Sequence, residues 1–140
     1  MPRTTSRAVT ERLIIDASAM VDVLVGAASA PMVRDRLHGS ELHAPAHFDV
    51  EVLSALGRLV RGDHLTARQA SSRIERVAAA PVERHALAPL LIGVWRLRHS
   101  LRLVDALYVE LAGRLDAPII TTDAKFAAAA RAAELVGKPA

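Results

Sequence analysis

Two acids in this chain stand directly after short apolar runs. Asp16 follows Leu13-Ile14-Ile15, and Asp123 follows Ile119-Ile120-Thr121-Thr122. Such runs fit fully buried strands of a parallel sheet, and open α/β sheets bind ligands beyond the carboxyl ends of their strands. If the two strands are neighbours they lie about 4.8 Å apart, and one cation can touch both carboxylates. Two further acids reach the same edge from helices. A helix joining parallel strands runs back against them, so its N-terminus lies at the carboxyl edge. Glu51 is near the start of the helix after a second strand, and Asp105 near the start of the helix before the Ile119 strand. Four like charges brought together repel and need a cation to offset them. Hard oxygen donors without His or Cys select Mg²⁺ or Mn²⁺.

Each acid alone has a local alternative. Asp16 is a favoured type for capping a helix. Asp105 can complement a helix dipole or pair with Arg102, and Glu51 can sit on a solvated flank. The helical wheel bears on this. Glu51 falls beside Phe48 and Ala55 on the border of the apolar stripe, and Asp105 falls between Val109 and Ala112, away from the Glu110–Arg114 pair. A lone carboxylate there is costly to desolvate. Taken singly, the local roles are favoured; taken together, the cluster is. Ser18 and Thr121 either orient ligands and water at such a site or bond locally around a helix cap, and the spacing does not choose.

The elements that position these residues follow in order. The spacing predicts a strand ending at Ile15, a helix through Met20-Val21 and Val23-Leu24, a short helix over 31–37 opened by Pro31, and a strand over 41–44 closed by Pro45. A long helix is expected over 47–60, with Phe48, Val52, Leu56, Leu59 and Val60 on one stripe. Thr66-Ala67-Arg68-Gln69 is a capping-box pattern. A strand over 82–85, a helix over 89–98 carrying Trp95, and the most apolar helix over 103–115 come next. The Ile119–Thr122 strand leads to a last helix through the Ala-rich stretch 127–133 and a short strand at Leu135-Val136. Strands alternating with helices predict a three-layer α/β domain with a mainly parallel sheet. Residues 12–140 form its single domain, and the polar, aperiodic residues 1–11 are expected to be a disordered lead-in.

Composition narrows the function classes. The 140 residues are 51% hydrophobic but only 3% aromatic, which suits Ala, Val, Leu and Ile packed between helices and a sheet. There is no cysteine, which removes disulfides, thiolate metal sites and thiol catalysis and fits a cytoplasmic protein. No apolar run approaches a membrane span and no signal-peptide pattern opens the chain. The formal net charge is +3, with only Lys125 and Lys138 as lysines. Arginine suits phosphate geometry, so a nucleic-acid partner is permitted. The histidines show no metal-binding repeat: His43 and His47 straddle Pro45 and share no helix. No Walker loop, GxGxxG or GxSxG occurs. Of the cationic candidates, Arg102 beside Asp105 is the more obvious phosphate ligand, and Arg58 and Arg61 at the far end of the Glu51 helix are less so.

Four segments in order resemble the PIN-domain ribonucleases, in particular the VapC toxins of bacterial toxin–antitoxin pairs. They are Ile15-Asp16-Ala17-Ser18, Glu51-Val52-Leu53-Ser54-Ala55-Leu56, Val104 to Ala112 around Asp105, and Ile120-Thr121-Thr122-Asp123-Ala124-Lys125-Phe126. The resemblance covers the chain from about residue 13 to the end. Matched position by position, it implies that Asp16, Glu51, Asp105 and Asp123 form an acidic metal site, with Ser18 and Thr121 at the usual hydroxyl positions. It further implies strand order 3-2-1-4-5, Mg²⁺ or Mn²⁺, metal-assisted hydrolysis of RNA phosphodiester bonds, homodimers, and inhibition by a small VapB-like antitoxin. Two other classes stay open. One is a catalytically silent PIN-like binding module acting through its antitoxin and operator DNA. The other is a phosphate-accepting regulatory α/β domain, which wants an acidic neighbour that Asp16 lacks.

Overall fold

The computed structural model describes residues 10–137. Most of the expected lead-in, residues 1–11, lies outside that range; within it, Glu11 forms an ion pair with Arg36. The chain alternates as expected: β1 (Arg12–Ile15), α1 (Ala17–Val25), α2 (Ala30–Leu37), β2 (Glu41–Pro45), α3 (Phe48–Arg61), α4 (Ala67–Ala78) and β3 (Val82–His85). A 3₁₀ turn (Ala88–Leu90) then leads into α5 (Leu91–Arg96), α6 (Leu103–Leu115), β4 (Ile119–Thr121), α7 (Ala124–Ala129) and β5 (Ala133–Leu135).

The strands form one sheet in the order β3-β2-β1-β4-β5, and every pairing is parallel. β1 is central because its three apolar residues can be buried from both faces. Leu13, Ile14 and Ile15 are fully buried, each contributing about 1.5–3 kcal/mol by leaving water. Successive residues serve opposite layers. Ile14 joins Tyr108, Leu111 and Phe126 under α6 and α7, whereas Ile15 joins Met20, Phe48 and Val52 under α1 and α3. All strands run the same way, so their carboxyl ends share one edge.

The start of α4 is fixed by a local signal. Thr66 and Gln69 close the expected capping box at α4: the Gln69 N–H donates to the Thr66 hydroxyl, and the Thr66 N–H donates to the Gln69 side chain. The helix expected over 89–98 is shorter, because the 3₁₀ turn precedes it and a further turn follows Arg96. The chain's end differs more. α7 stops at Ala129, Ala130 is extended, and β5 begins at Ala133 rather than Leu135. Pairing of Ala133, Glu134 and Leu135 with β4, together with an Arg36–Glu134 ion pair at 2.6 Å, holds this segment extended. Alanine's helical preference amounts only to tenths of a kcal/mol per residue over most other types, and tertiary pairing outweighs it.

Candidate active site

Asp16 shows how the edge is built. It occupies the N-cap position of α1 yet makes no capping bond with its side chain. Its Oδ2 instead accepts from the Ser18 hydroxyl and the Thr121 hydroxyl, both at 2.7 Å. The two hydroxyl oxygens are 3.1 Å apart. They also accept in turn: Ser18 from the Thr122 N–H and Thr121 from the Asp123 N–H. The ends of β1 and β4 are thereby joined through one carboxylate oxygen, while among the described residues the other oxygen has no side-chain donor. Burial pushes the Asp16 carboxyl above its ordinary pKa, against the two hydroxyl bonds, and the charge of Asp105 adds to the rise.

Glu51 stands one turn into α3. Its Oε1 accepts from the Tyr108 hydroxyl at 2.7 Å and lies 3.3 Å from His47 Nε2. Burial raises its pKa as well, Tyr108 and His47 oppose the rise, and the charges of Asp16 and Asp105 reinforce it. The Tyr108 hydroxyl is driven far above its usual pKa by burial beside these acids, so it stays a donor. Asp105, in the first turn of α6, pairs with Arg102 at 3.0 Å. Arg102 is mostly exposed, and the neighbouring acids hold its proton more firmly than usual. Asp123 is a helix cap: its Oδ1 accepts from the Lys125 and Phe126 N–H groups at the start of α7.

The four acids nonetheless face one cavity of about 310 Å³, whose wall also includes Ser18, Asp22, Ala55, Arg58 and Arg102. Asp16, Glu51, Asp105 and Asp123 therefore come together, and Ser18 and Thr121 brace Asp16. The local roles and the cluster coexist for Asp105 and Asp123, whereas Asp16 does no capping. Arg58 corrects an expectation. It lines the cavity because Glu51, Ala55 and Arg58 repeat on one helical face, and the roughly 10 Å of rise over seven residues is within reach of its long side chain. Asp22 is half-buried against the cavity and accepts from the Ser29 hydroxyl. Tyr108 and His47 had also escaped notice. His47 precedes Glu51 by four residues, a visible spacing; Tyr108 lies within an apolar stripe that hides a polar role.

The comparisons with known proteins bear on this edge. A profile of the PIN domain matches residues 13–132, a span holding all four acids. Ribonuclease VapC3 of Mycobacterium tuberculosis is 47% identical over 128 residues, covering 91% of this chain and 93% of the relative. The chain belongs to the PIN-domain family of VapC ribonucleases. Two solved structures share its fold. PAE2754 from Pyrobaculum aerophilum superposes with a TM-score of 0.69 at 21% identity, covering 94% of this chain and 91% of the other. A toxin–antitoxin complex from Klebsiella pneumoniae does so with a TM-score of 0.61 at 16% identity, covering 87% and 95%.

PIN-domain nucleases depend on divalent cations, and the donors here fit one. Every candidate ligand in the cavity is a carboxylate oxygen, the set a hard cation prefers. Among the described residues no three of these acids bring an oxygen within 4.8 Å of one another. That spacing suits a cation that keeps several waters and takes only one or two carboxylates directly.

Proposed function

We propose that this chain is the toxin of a toxin–antitoxin pair. In this reading it is an endoribonuclease that hydrolyses RNA phosphodiester bonds at the acidic cavity with Mg²⁺ or Mn²⁺. The observation that carries the reading is the convergence of four carboxylates from four elements on one cavity with Arg58 and Arg102 at its wall. Asp16, Glu51, Asp105 and Asp123 would hold the cation, one or two of them directly and the others through its waters. When bound, the cation supplies positive charge that polarises the phosphate and makes water a better nucleophile. Ser18 and Thr121 hold Asp16 in one rotamer, and Tyr108 does the same for Glu51. The two guanidinium groups offer forked donors to phosphates on either side of the scissile bond.

The partners follow from two apolar surfaces. A groove between α3 and α4, lined by Asp49, Leu53, Ile74, Val77, Ala78 and Arg84, suits the apolar face of an antitoxin helix. Exposed Leu91, Trp95, Leu103 and Val104 line a second apolar surface. We assign it to a homodimer, because Leu103 and Val104 adjoin Asp105 and a second copy there would deepen the RNA groove. No helix among the described residues is long and apolar enough to cross a membrane, and the reading assigns the chain to the cytoplasm, with its RNA. The test is purified chain, freed of antitoxin, on total cellular RNA. New 5′ ends should appear with Mg²⁺ or Mn²⁺, vanish in EDTA and be suppressed by the antitoxin. Antitoxin binding without cleavage under any metal would leave the silent binding module instead.

A further inference from the structure

A different set of ligands meets on the outer part of the sheet. β2 and β3 pair in parallel with His43 opposite Glu83 and Pro45 opposite His85. Side chains alternate along a strand, so Glu41 and His43 of β2 share a face with Glu83 and His85 of β3. The histidines are 42 positions apart in the chain, which is why no local repeat betrayed them. His43 Nδ1 lies 2.8 Å from His85 Nε2 and 3.3 Å from Glu83 Oε2. Its other nitrogen, Nε2, lies 2.6 Å from Glu41 Oε1.

Proton accounting turns this cluster into a donor set. Glu41 is a carboxylate acceptor, so His43 carries its proton on Nε2 and donates it there. Its Nδ1 lone pair then points at His85 and Glu83. Without an ion, His85 Nε2–H donates to that lone pair at 2.8 Å. When the His85 proton moves to Nδ1 an ion can take its place, and three lone-pair atoms then converge on it: His43 Nδ1, His85 Nε2 and Glu83 Oε2, from residues whose ligand atoms lie within 4.8 Å of one another. Ligands of a tetrahedral zinc ion at about 2.0–2.1 Å lie roughly 3.3 Å apart. The His43–Glu83 spacing of 3.3 Å already matches that distance. The two imidazoles need to part by about 0.5 Å to match it, a small turn of the half-buried His85 ring. A histidine ligand whose remaining N–H is held by a carboxylate is the usual arrangement around protein-bound metals, and Glu41 supplies that carboxylate.

We propose that His43, His85 and Glu83 form a second cation site, for a borderline transition-metal ion of the Zn²⁺ class, with Glu41 orienting His43. Two nitrogen donors separate it chemically from the all-oxygen cavity, which shares none of its residues. Glu83 is largely exposed, so the fourth position opens to water. The ion would tie β3, the edge strand, to β2. The site does not depend on the ribonuclease reading.

The test is calorimetric titration of the untagged chain with Zn²⁺ in excess Mg²⁺, with Co²⁺ absorption as a report on tetrahedral coordination. Three variants separate the two sites: His85→Ala, Glu83→Gln, and the double change Asp16→Asn with Asp105→Asn. His85→Ala and Glu83→Gln are chosen because both side chains reach the surface, whereas the buried His43 supports the fold. Wild type should bind one Zn²⁺ and melt higher with it. His85→Ala should weaken binding at least tenfold and lose the rise in Tm, Glu83→Gln should weaken it measurably, and the double variant should bind as wild type does. No Zn²⁺ binding by wild type would overturn the proposal. So would binding that survives His85→Ala but disappears in the double variant, since the ion would then belong to the acidic cavity.

Discussion

Replacing Tyr108 by Phe tests how the acidic cavity is held in shape. The buried ring packs 5.0 Å from His47 and 6.2 Å from Phe126, centroid to centroid, and Phe preserves both contacts. Only the hydroxyl donated to Glu51 at 2.7 Å is lost. A hydrogen bond to a charged group contributes about 1.5–3 kcal/mol. The Glu51 side chain is 31% exposed, so water replaces part of the bond, and the loss should be about 1–2 kcal/mol. For a domain of this length that corresponds to a fall in Tm of roughly 3–6 °C. Glu51 also loses the strongest influence opposing its raised pKa, so it protonates more readily. Cleavage should fall by roughly 5–30-fold, using about 1.4 kcal/mol per factor of ten, and the loss should be larger at acidic pH. The assays are a thermal melt and an RNase pH profile on wild type and mutant. A melt within about 1 °C of wild type and superimposable profiles would refute the reasoning. A lower Tm with unchanged cleavage would remove Glu51 from the site.

Three other perturbations follow from the same geometry. Asp105→Asn removes a charge that raises the Asp16 and Glu51 pKa values and also an exposed ion pair worth about 0.2–1 kcal/mol. The metal-free melt should therefore change little, while Mn²⁺-induced stabilisation shrinks and cleavage falls at least about a hundredfold; equal, slight destabilisation with normal cleavage would reduce Asp105 to a helix-dipole residue. The native state holds the Asp16 proton more tightly than the unfolded chain does. Its stabilising contribution is thus fully present below the unfolded pKa and lost as pH rises through the raised one, so metal-free wild type should lose Tm relative to Asp16→Asn on titration upward from about pH 4. Arg84 donates to Asp49 and to the Val77, Ala80 and Val82 carbonyls, and its guanidinium lies over Phe48. Arg84→Lys should cost about 2–3 kcal/mol in denaturant unfolding, because an ammonium cannot reproduce the fork, and weaken antitoxin binding at the α3–α4 groove.

The elements that were legible in the sequence are those with strong local signals. The β1 run, the Thr66–Gln69 box and the α3 stripe each carry their own reason for forming. That the four acids share one edge was legible through chain direction, since parallel strands and returning helices place certain residue positions there. What escaped depended on contacts between distant residues. The end of α7 is set by pairing with β4 and by Arg36, neither visible in an alanine run. Arg58 was undervalued by counting distance along the helix rather than face around it. The meeting of His43 with His85 arises only when β2 and β3 pair, and no spacing within either strand encodes it.

The central claim, that the carboxylate cavity is the cation site of a ribonuclease, is tested most directly by Mn²⁺ titration of Asp16→Asn beside an RNA cleavage assay. Both proteins should carry His85→Ala, so that Mn²⁺ has no imidazole site to occupy. Asn keeps an oxygen for the Ser18 and Thr121 hydroxyls, which preserves the junction of β1 with β4. The account predicts a folded variant whose Mn²⁺ affinity falls at least about tenfold and whose cleavage falls by orders of magnitude. A folded Asp16→Asn protein that binds Mn²⁺ and cleaves RNA as its Asp16 parent does would contradict it.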